Sequence, residues 1–517
     1  MHLRPSLFIV IFAVLDLVTG TDPCPLVQCQ CYQSSDDTTK RVIDCRDINS
    51  GGDITNIVNV ATPTNEVFYE LALQRSRITS VGPNVFQGLK FVKLDLTENF
   101  ITSFDIDAFS GLQNDLRIVR LEASGSVSFP FQAMQNLTGL QEIYLKDFEQ
   151  QGLDSSTKFE YFPNLQKLSM IRSNIQFISR SAFDGKLTNL RELEFTHNPS
   201  VSSFPVPAIR NLRTLTKLTW TFNDMDQTSP QMFSQLTNLV ELDLSHNKIN
   251  SLADNWYTGI TSKLEFLNLQ ANNLSTATIQ SMGTPDWPKL HQLNLAVNNL
   301  QDFPSGFFSK MPDLAYLGLG SNKLTTLRST YFTGLANMYS LDFHENFIAS
   351  VESGALAHMP LLRSVNLENQ NVATLNFSAG SISGAEGIEQ LYLINTPVIQ
   401  NEMWGAIRKM TNLTELHLTR TRITSIPDLV FQNHQRLVLL DIEGNTLGSV
   451  TQAMFHGLAS SLESISLTNT GIQTIGECVF KDFNKLKTIH LGQNSLTCDC
   501  KLHWLYDWIQ NFQRTLY

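Results

Sequence analysis

After its first twenty residues the chain contains no run of about 18 apolar residues, the length a membrane-crossing helix needs. No glycine-rich phosphate loop is present, and neither H-E-x-x-H nor G-x-S-x-G occurs. Gly380-Ser-Ile-Ser-Gly384 comes near the last but has Ile382 at its centre. These absences point away from an enzyme and from any resident cofactor or metal. A long Lys/Arg run is also missing: 37 basic residues against 48 acidic ones leave a formal charge of −11. An acidic surface of this kind disfavours polyanions, so nucleic acid is not an expected partner.

What the chain has in quantity is repetition. From Phe68 onward a pattern L-x-x-L-x-L-x-x-N-x-L restarts every 23 to 26 residues, at 68, 91, 116, 140, 165, 190, 215, 239, 264, 290, 314, 338, 362, 388, 413, 437, 462 and 486. Leu239-Val-Glu-Leu-Asp-Leu-Ser-His-Asn247-Lys-Ile249 is a plain copy. Its L-x-L core alternates with period two, which marks a short strand with leucines inward and the residues between them outward. One such unit buries too little to stand alone, so successive units must stack their strands side by side.

Two further positions have a physical reason. A sharp bend after the strand leaves buried amides and carbonyls, and a ninth-position Asn can both donate to and accept from them. Asn99, Asn198, Asn223, Asn247, Asn272, Asn298, Asn322, Asn346, Asn445 and Asn494 stand there. Ser124, Phe148 and Ser173 interrupt the series, as do Gln370, Thr396 and Thr421. The interruptions predict a change of curvature or twist across 116–190 and 362–425. A Gly/Ser-rich stretch, Ser378 to Gly384, suggests a looser joint in the second region. The nineteenth position is mostly Phe (Phe86, Phe109, Phe183, Phe233, Phe308, Phe332, Phe431, Phe455, Phe480), which predicts an aromatic spine under a convex side of short helices or turns.

A fixed period with this signature resembles the leucine-rich repeat family. The fold class expected is an α/β solenoid: a leucine-rich repeat horseshoe with a concave parallel sheet, a disulfide N-cap and a truncated C-cap. Residues 1–20 read as a secretory signal peptide, with a basic start, an apolar run from Leu7 to Val18 and a small-residue end. Residues 21–67 then form the N-terminal cysteine cap, 68–497 about 18 repeats, and 498–517 the start of a C-terminal cap. By spacing alone Cys24, Cys29, Cys31 and Cys45 allow three pairings, and a zinc site is the other reading. Resemblance to the caps of extracellular leucine-rich repeat proteins implies Cys24–Cys31 and Cys29–Cys45. Cys498, Cys500, Trp504 and Trp508 resemble the opening of a C-terminal cap whose two further cysteines are absent, so the chain reads as a fragment. Cys478 is either a small buried hydrophobe or a partner for Cys498 or Cys500.

The concave sheet is the expected site. Eighteen strands at about 4.8 Å span roughly 85 Å, ample for a protein interface. Its candidate residues are Glu194, His197, Phe222, Glu241, Asp243, His246, Phe266 and Tyr316. Five outward histidines (His197, His246, His344, His417, His490) suggest a pH-gated or metal site, or residues tolerated on a wet face. Sequons at Asn136, Asn273, Asn376 and Asn412 would carry glycans. The resemblance extends to Toll-like receptor ectodomains, Slit-type ligands, chaoptin-like adhesion proteins and the acid-labile subunit. It implies an extracellular scaffold, secreted or at the cell surface, that binds a protein or glycan, with a second copy of itself as a further candidate partner. A membrane enters only through a span beyond Tyr517. The alternative is a secreted matrix or carrier protein with no signalling role.

Overall fold

The computed structural model describes residues 24–58, 65–497, 503–505 and 515–516. The expected signal peptide, Cys498, Cys500 and Trp508 lie outside them. The chain divides into two compact units, Met1–Val201 with Pro207–Leu215 and Ser202–Val206 with Thr216–Tyr517.

The N-terminal unit opens on an antiparallel pair, Gln30–Gln33 against Arg41–Asp44. The second of these lies parallel to Phe68–Ala72, the first repeat strand. Disulfides join Cys24 to Cys31 and Cys29 to Cys45, with Cα separations of 5.4 and 4.6 Å, the pairing the cap resemblance implied. Leu26, Ile43 and Cys45 are fully buried, so the cap covers the apolar end that a repeat stack exposes. Parallel strands Phe91–Ile101, Ile118–Ala123, Glu142–Lys146, Lys167–Ile171 and Glu192–Thr196 follow, one per predicted repeat. Their register stacks Ile143, Leu168 and Leu193 over one another.

The second unit continues the plan from Lys217–Thr221 through Glu241–Asp243 and Phe266–Asn268 to Thr488–His490, again one strand per repeat. Residues Thr515–Leu516, within the expected cap, pair in parallel with the last of these. Trp504 does reach the core's end: its Nε1 donates to the Ile475 carbonyl at 3.1 Å and its ring lies 6.5 Å from that of Phe480.

All nine predicted spine phenylalanines are buried. They stack in neighbouring repeats, as in Phe86–Phe109 (6.3 Å), Phe308–Phe332 (5.9 Å) and Phe455–Phe480 (5.5 Å). Phe159, Trp256, Trp287 and Trp404 fill the same layer from other positions. Among the described residues the side opposite the strands is mostly turns, with short 3-10 segments and one full α-helix, Gln400–Ile407.

The bend after each strand has a definite backbone cause. In every repeat but the one starting at Leu116, the eighth residue is left-handed, with φ from 47° to 61° at the non-glycine positions. L-residues resist that region by about 1–2 kcal/mol, so something must hold them there. Where an Asn stands at the ninth position, its side chain does so. Asn322 accepts from the Leu300 amide at 3.0 Å and donates to the carbonyls of Leu295, Leu319 and Gly320 at 3.0 to 3.2 Å. Asn99, Asn198, Asn247, Asn298, Asn346, Asn445 and Asn494 make equivalent clamps.

The two interruptions differ from each other. Gln370 reproduces the clamp with its longer amide, accepting from Ile348 at 3.0 Å and donating to Phe343 at 2.8 Å. Thr396 and Thr421 donate to Leu367 and Leu418, both at 2.8 Å. Strand register is unbroken through that region. In the first interruption Phe148 is buried apolar, stacked on Phe104 at 6.2 Å. Next to it the pairing of Phe91–Ile101 with Ile118–Ala123 shifts register between Leu96 and Ile101.

Two expectations are corrected. Ser378 to Gly384 is no loose joint: Ser381 and Ile382 are fully buried, and a Cβ on Gly384 would stand 2.6 Å from the Ala357 carbonyl oxygen. Small residues are there because backbones approach closely. Cys478 is exposed rather than a buried hydrophobe.

Candidate recognition surface

The outward residues of the strands fall into three classes according to what they already hold. Fifth-position Asp and Asn side chains turn back onto the chain. Asp243, Asn268, Asn294, Asp342, Asn366 and Asp441 each accept the amide two residues on, at 2.9 to 3.1 Å. This is the Asx turn. Asp243 also accepts from Asn268 Nδ2 at 3.1 Å, so this candidate site residue is occupied by the fold.

The third position carries ion pairs between neighbouring strands. Lys217 meets Glu241 at 2.6 Å in the second unit; in the first, Lys93 meets Glu70 at 3.1 Å and Lys167 meets Glu192 at 3.0 Å. The candidate Glu241 is therefore neutralised by its neighbour. The two exposed pairs, Lys217–Glu241 and Lys167–Glu192, contribute little, about 0–1 kcal/mol.

The eighth position is the left-handed one, and His197, Phe222 and His246 stand there rather than on the strands. Phe222 and His246 stack face to face, ring centres 4.3 Å apart. Of the other histidines, His344 donates to Asp342 at 2.8 Å, and His417 stacks on Tyr392 at 4.7 Å with Glu415 3.5 Å from its Nε2. Burial first, then the Glu415 carboxylate, raises the Tyr392 phenol pKa. Among the described residues no three His, Cys, Asp or Glu side chains are grouped to hold a metal ion.

Three adjoining depressions mark the second unit. The first, about 470 Å³, is lined by Lys217, Glu241, Asp243, Phe266 and His291. The next, about 610 Å³, has Glu265, His291, Tyr316 and Tyr339, and a third of about 340 Å³ shares Phe266 and Tyr316 and ends at Asp342 and His344. The structure thus brings together Glu241, Asp243, Phe266 and Tyr316 of the candidate residues. It leaves the Phe222–His246 pair outside these linings. Glu194 and His197 belong to the other unit, where Ser169 donates to Glu194 at 2.6 Å and Thr196 bonds the His197 ring at 3.0 Å.

Sequence reasoning missed Glu265, His291 and Tyr339, all at the second position. The ring of Tyr316 lies 5.4 Å from His291 and 5.9 Å from Tyr339, and the two tyrosines are 41% and 45% exposed. Large rings recurring directly after the first leucine were the available signal.

Among the described residues no helix is long and apolar enough to cross a membrane. Compared with known proteins, residues 213–274, 288–338, 314–372 and 411–461 match the leucine rich repeat model, and 64–184 match the BspA type leucine rich repeat region. The transforming growth factor beta activator LRRC33 of Danio rerio is 26% identical over 399 residues, 70% of this chain and 56% of that protein. Podocan of Mus musculus is 28% identical over 344 residues, 65% of this chain and 52% of podocan. The chain thus spans about half the length of these relatives. A chain of the Drosophila Toll–Spatzle complex shares the fold, with TM-score 0.58 at 15% identity over 95% of this chain and 72% of that one. With repeats matched over 64–184, 213–274, 288–372 and 411–461, asparagine clamps in both units and a disulfide cap before them, the chain belongs to the leucine-rich repeat proteins.

Proposed function

We propose that the chain is an extracellular recognition scaffold, part of a receptor or adhesion ectodomain, that takes a protein partner on the strand face of its second unit. The observation that carries this reading is the run of outward rings, half-buried Phe266 followed by exposed His291, Tyr316 and Tyr339, across three adjoining depressions. Exposed aromatics in concave, partly charged surroundings are what protein interfaces use as anchors. The two disulfides suit an oxidising compartment. A leader at 1–20, a cap at 21–67, repeats over 68–497 and cap residues from 498 belong to the same reading, as do glycans at Asn136, Asn273, Asn376 and Asn412. A relative named as a growth-factor activator and a structural neighbour complexed with Spatzle favour a protein over a small ligand.

The test is a screen of the secreted chain against an array of extracellular proteins, followed by substitution. Tyr316→Ala with Tyr339→Ala should weaken the partner at least about thirty-fold. Phe222→Ala should change affinity less than threefold. Unchanged affinity in the tyrosine pair would move the site elsewhere.

A further inference from the structure

The N-terminal unit carries a depression of a different chemistry, about 400 Å³, away from the outward strand residues. Its first row is Arg117, Gln141, Gln166 and Arg191, the second position of four successive repeats. Its second row is Asn164 and Asn189 with Gly139, the residue just before each first leucine.

The first row is fixed by the backbone. Amides of Gln141 and Glu142 both donate to the Arg117 carbonyl, at 2.7 and 3.0 Å, and the pattern repeats from Gln166 and Lys167 to Gln141 and from Arg191 and Glu192 to Gln166. The Arg117 guanidinium is pinned by the carbonyls of Leu116 (2.9 Å) and Asn114 (2.6 Å). It lies across Gly139, where a Cβ would stand 2.7 Å from its Nη1. Asn164 and Asn189 donate to the carbonyls of Thr138 and Pro163, each at 2.9 Å, which orients their amides. The side chains of Gln141 and Gln166 make no hydrogen bond among the described residues.

Two guanidinium groups, four carboxamides and a glycine are the whole lining, without a carboxylate or an apolar side chain. Guanidinium forks match carboxylate and sulfate oxygens, and carboxamides both donate to and accept from hydroxyls. A peptide would want an apolar anchor, which is absent. Single-stranded nucleic acid would want stacking rings, also absent, and a duplex more cations than two. Three strand steps set the two arginines roughly 14 Å apart, the reach of a short oligomer rather than one small ion.

We propose that this depression binds an acidic oligosaccharide, with anionic groups on Arg117 and Arg191 and intervening hydroxyls on the carboxamides. Preorganised donors make the site selective in a chain whose net charge of −11 otherwise repels polyanions.

The secreted chain is titrated with three hexasaccharides: heparin-derived, carrying sulfates and carboxylates; hyaluronan, carrying carboxylates only; and chitin-derived, neutral. At least one acidic probe should bind, and the neutral one should not. Preference for heparin over hyaluronan identifies sulfate as the recognised anion, and parity identifies the carboxylate. Arg117→Ala with Arg191→Ala should cost about a hundredfold, and Gln141→Ala with Gln166→Ala about tenfold with the charge retained. Gly139→Ala, which displaces the Arg117 guanidinium, should also weaken binding, and melting curves verify that each variant folds. Lys481→Ala with Lys485→Ala, remote in sequence and exposed, should change nothing. The proposal is overturned if neither acidic probe binds, if binding survives the arginine pair, or if the lysine pair costs as much.

Discussion

The two units build one repeat in two ways. In the first, repeat strands run five to eleven residues; in the second, all but the leading Lys217–Thr221 are three residues long. The fifth position accounts for much of this. From 116 to 190 it holds Arg120, Tyr144, Ser169 and Glu194, none of which forms an Asx turn, and pairing runs through the seventh residue, as in Ile171 with Thr196. In the second unit Asp or Asn takes the seventh amide, and pairing ends at the fifth, as in Asp243 with Asn268. Asp95 is the one fifth-position Asp of the first unit, and the ladder breaks just after it, at Leu96. Repeats with Gly318, Tyr392, His417, Ser466 or His490 at the fifth position are equally short; a ladder cannot outrun its neighbour, which covers Gly318 between Asn294 and Asp342. Outward polar residues are thus divided between turn-making and availability to a partner. That division decides which of them can bind.

Removing a clamp should have the largest effect. Asn322→Ala strands a buried amide and buried carbonyls, and about 3 kcal/mol of stability should go, read as a fall in the urea midpoint. Ser124→Ala at the same position of the first unit, where the eighth residue is not left-handed, should cost under about 0.5 kcal/mol. Equal costs would erase the distinction between clamped and interrupted repeats. Acid should come next and strike the second unit. Burial holds His434 below its ordinary pKa, its Nε2 donating to the Ile407 carbonyl at 3.0 Å. Below about pH 6.5 the unfolded chain takes up a proton that the folded unit refuses, so stability is full above that pH and falls toward pH 5. His434→Gln should flatten the fall, measured by melting temperature against pH.

Breaking an Asx turn is a smaller perturbation. Asn366→Ala should cost about 1 kcal/mol, by analogy with a helix cap, and speed exchange of the Glu368 amide in particular. If Glu368 exchanges at its former rate, the turn does not rest on the side chain. The cross-strand pairs should matter least: a double-mutant cycle on Lys217 and Glu241 should give a coupling below about 0.5 kcal/mol.

Much of this was legible in the residues. The leucine register placed every repeat strand, the ninth-position Asn its clamp and the nineteenth-position Phe its spine, because each serves packing that recurs with the period. The trio Phe159, Trp256 and Trp287 was not legible, since large rings reach the same layer from other positions. The candidate site was read less well. L-x-x-L carries two residues between leucines, and strict alternation credits only one with facing out, so His291 and Tyr339 were passed over. The turn that Asp243 makes was overlooked for another reason. An outward carboxylate on a strand looks available until the turn two residues later is seen to need it, although Asx at the fifth position of seven repeats was itself a turn signal.

Hydrogen exchange of the chain with and without its protein partner tests the central claim most directly. Protection confined to residues 240–345, with the strands from Phe68 to Thr196 unchanged, is the predicted result. Protection centred on Arg120, Tyr144 and Glu194 would contradict it and give the longer-stranded unit the recognition role.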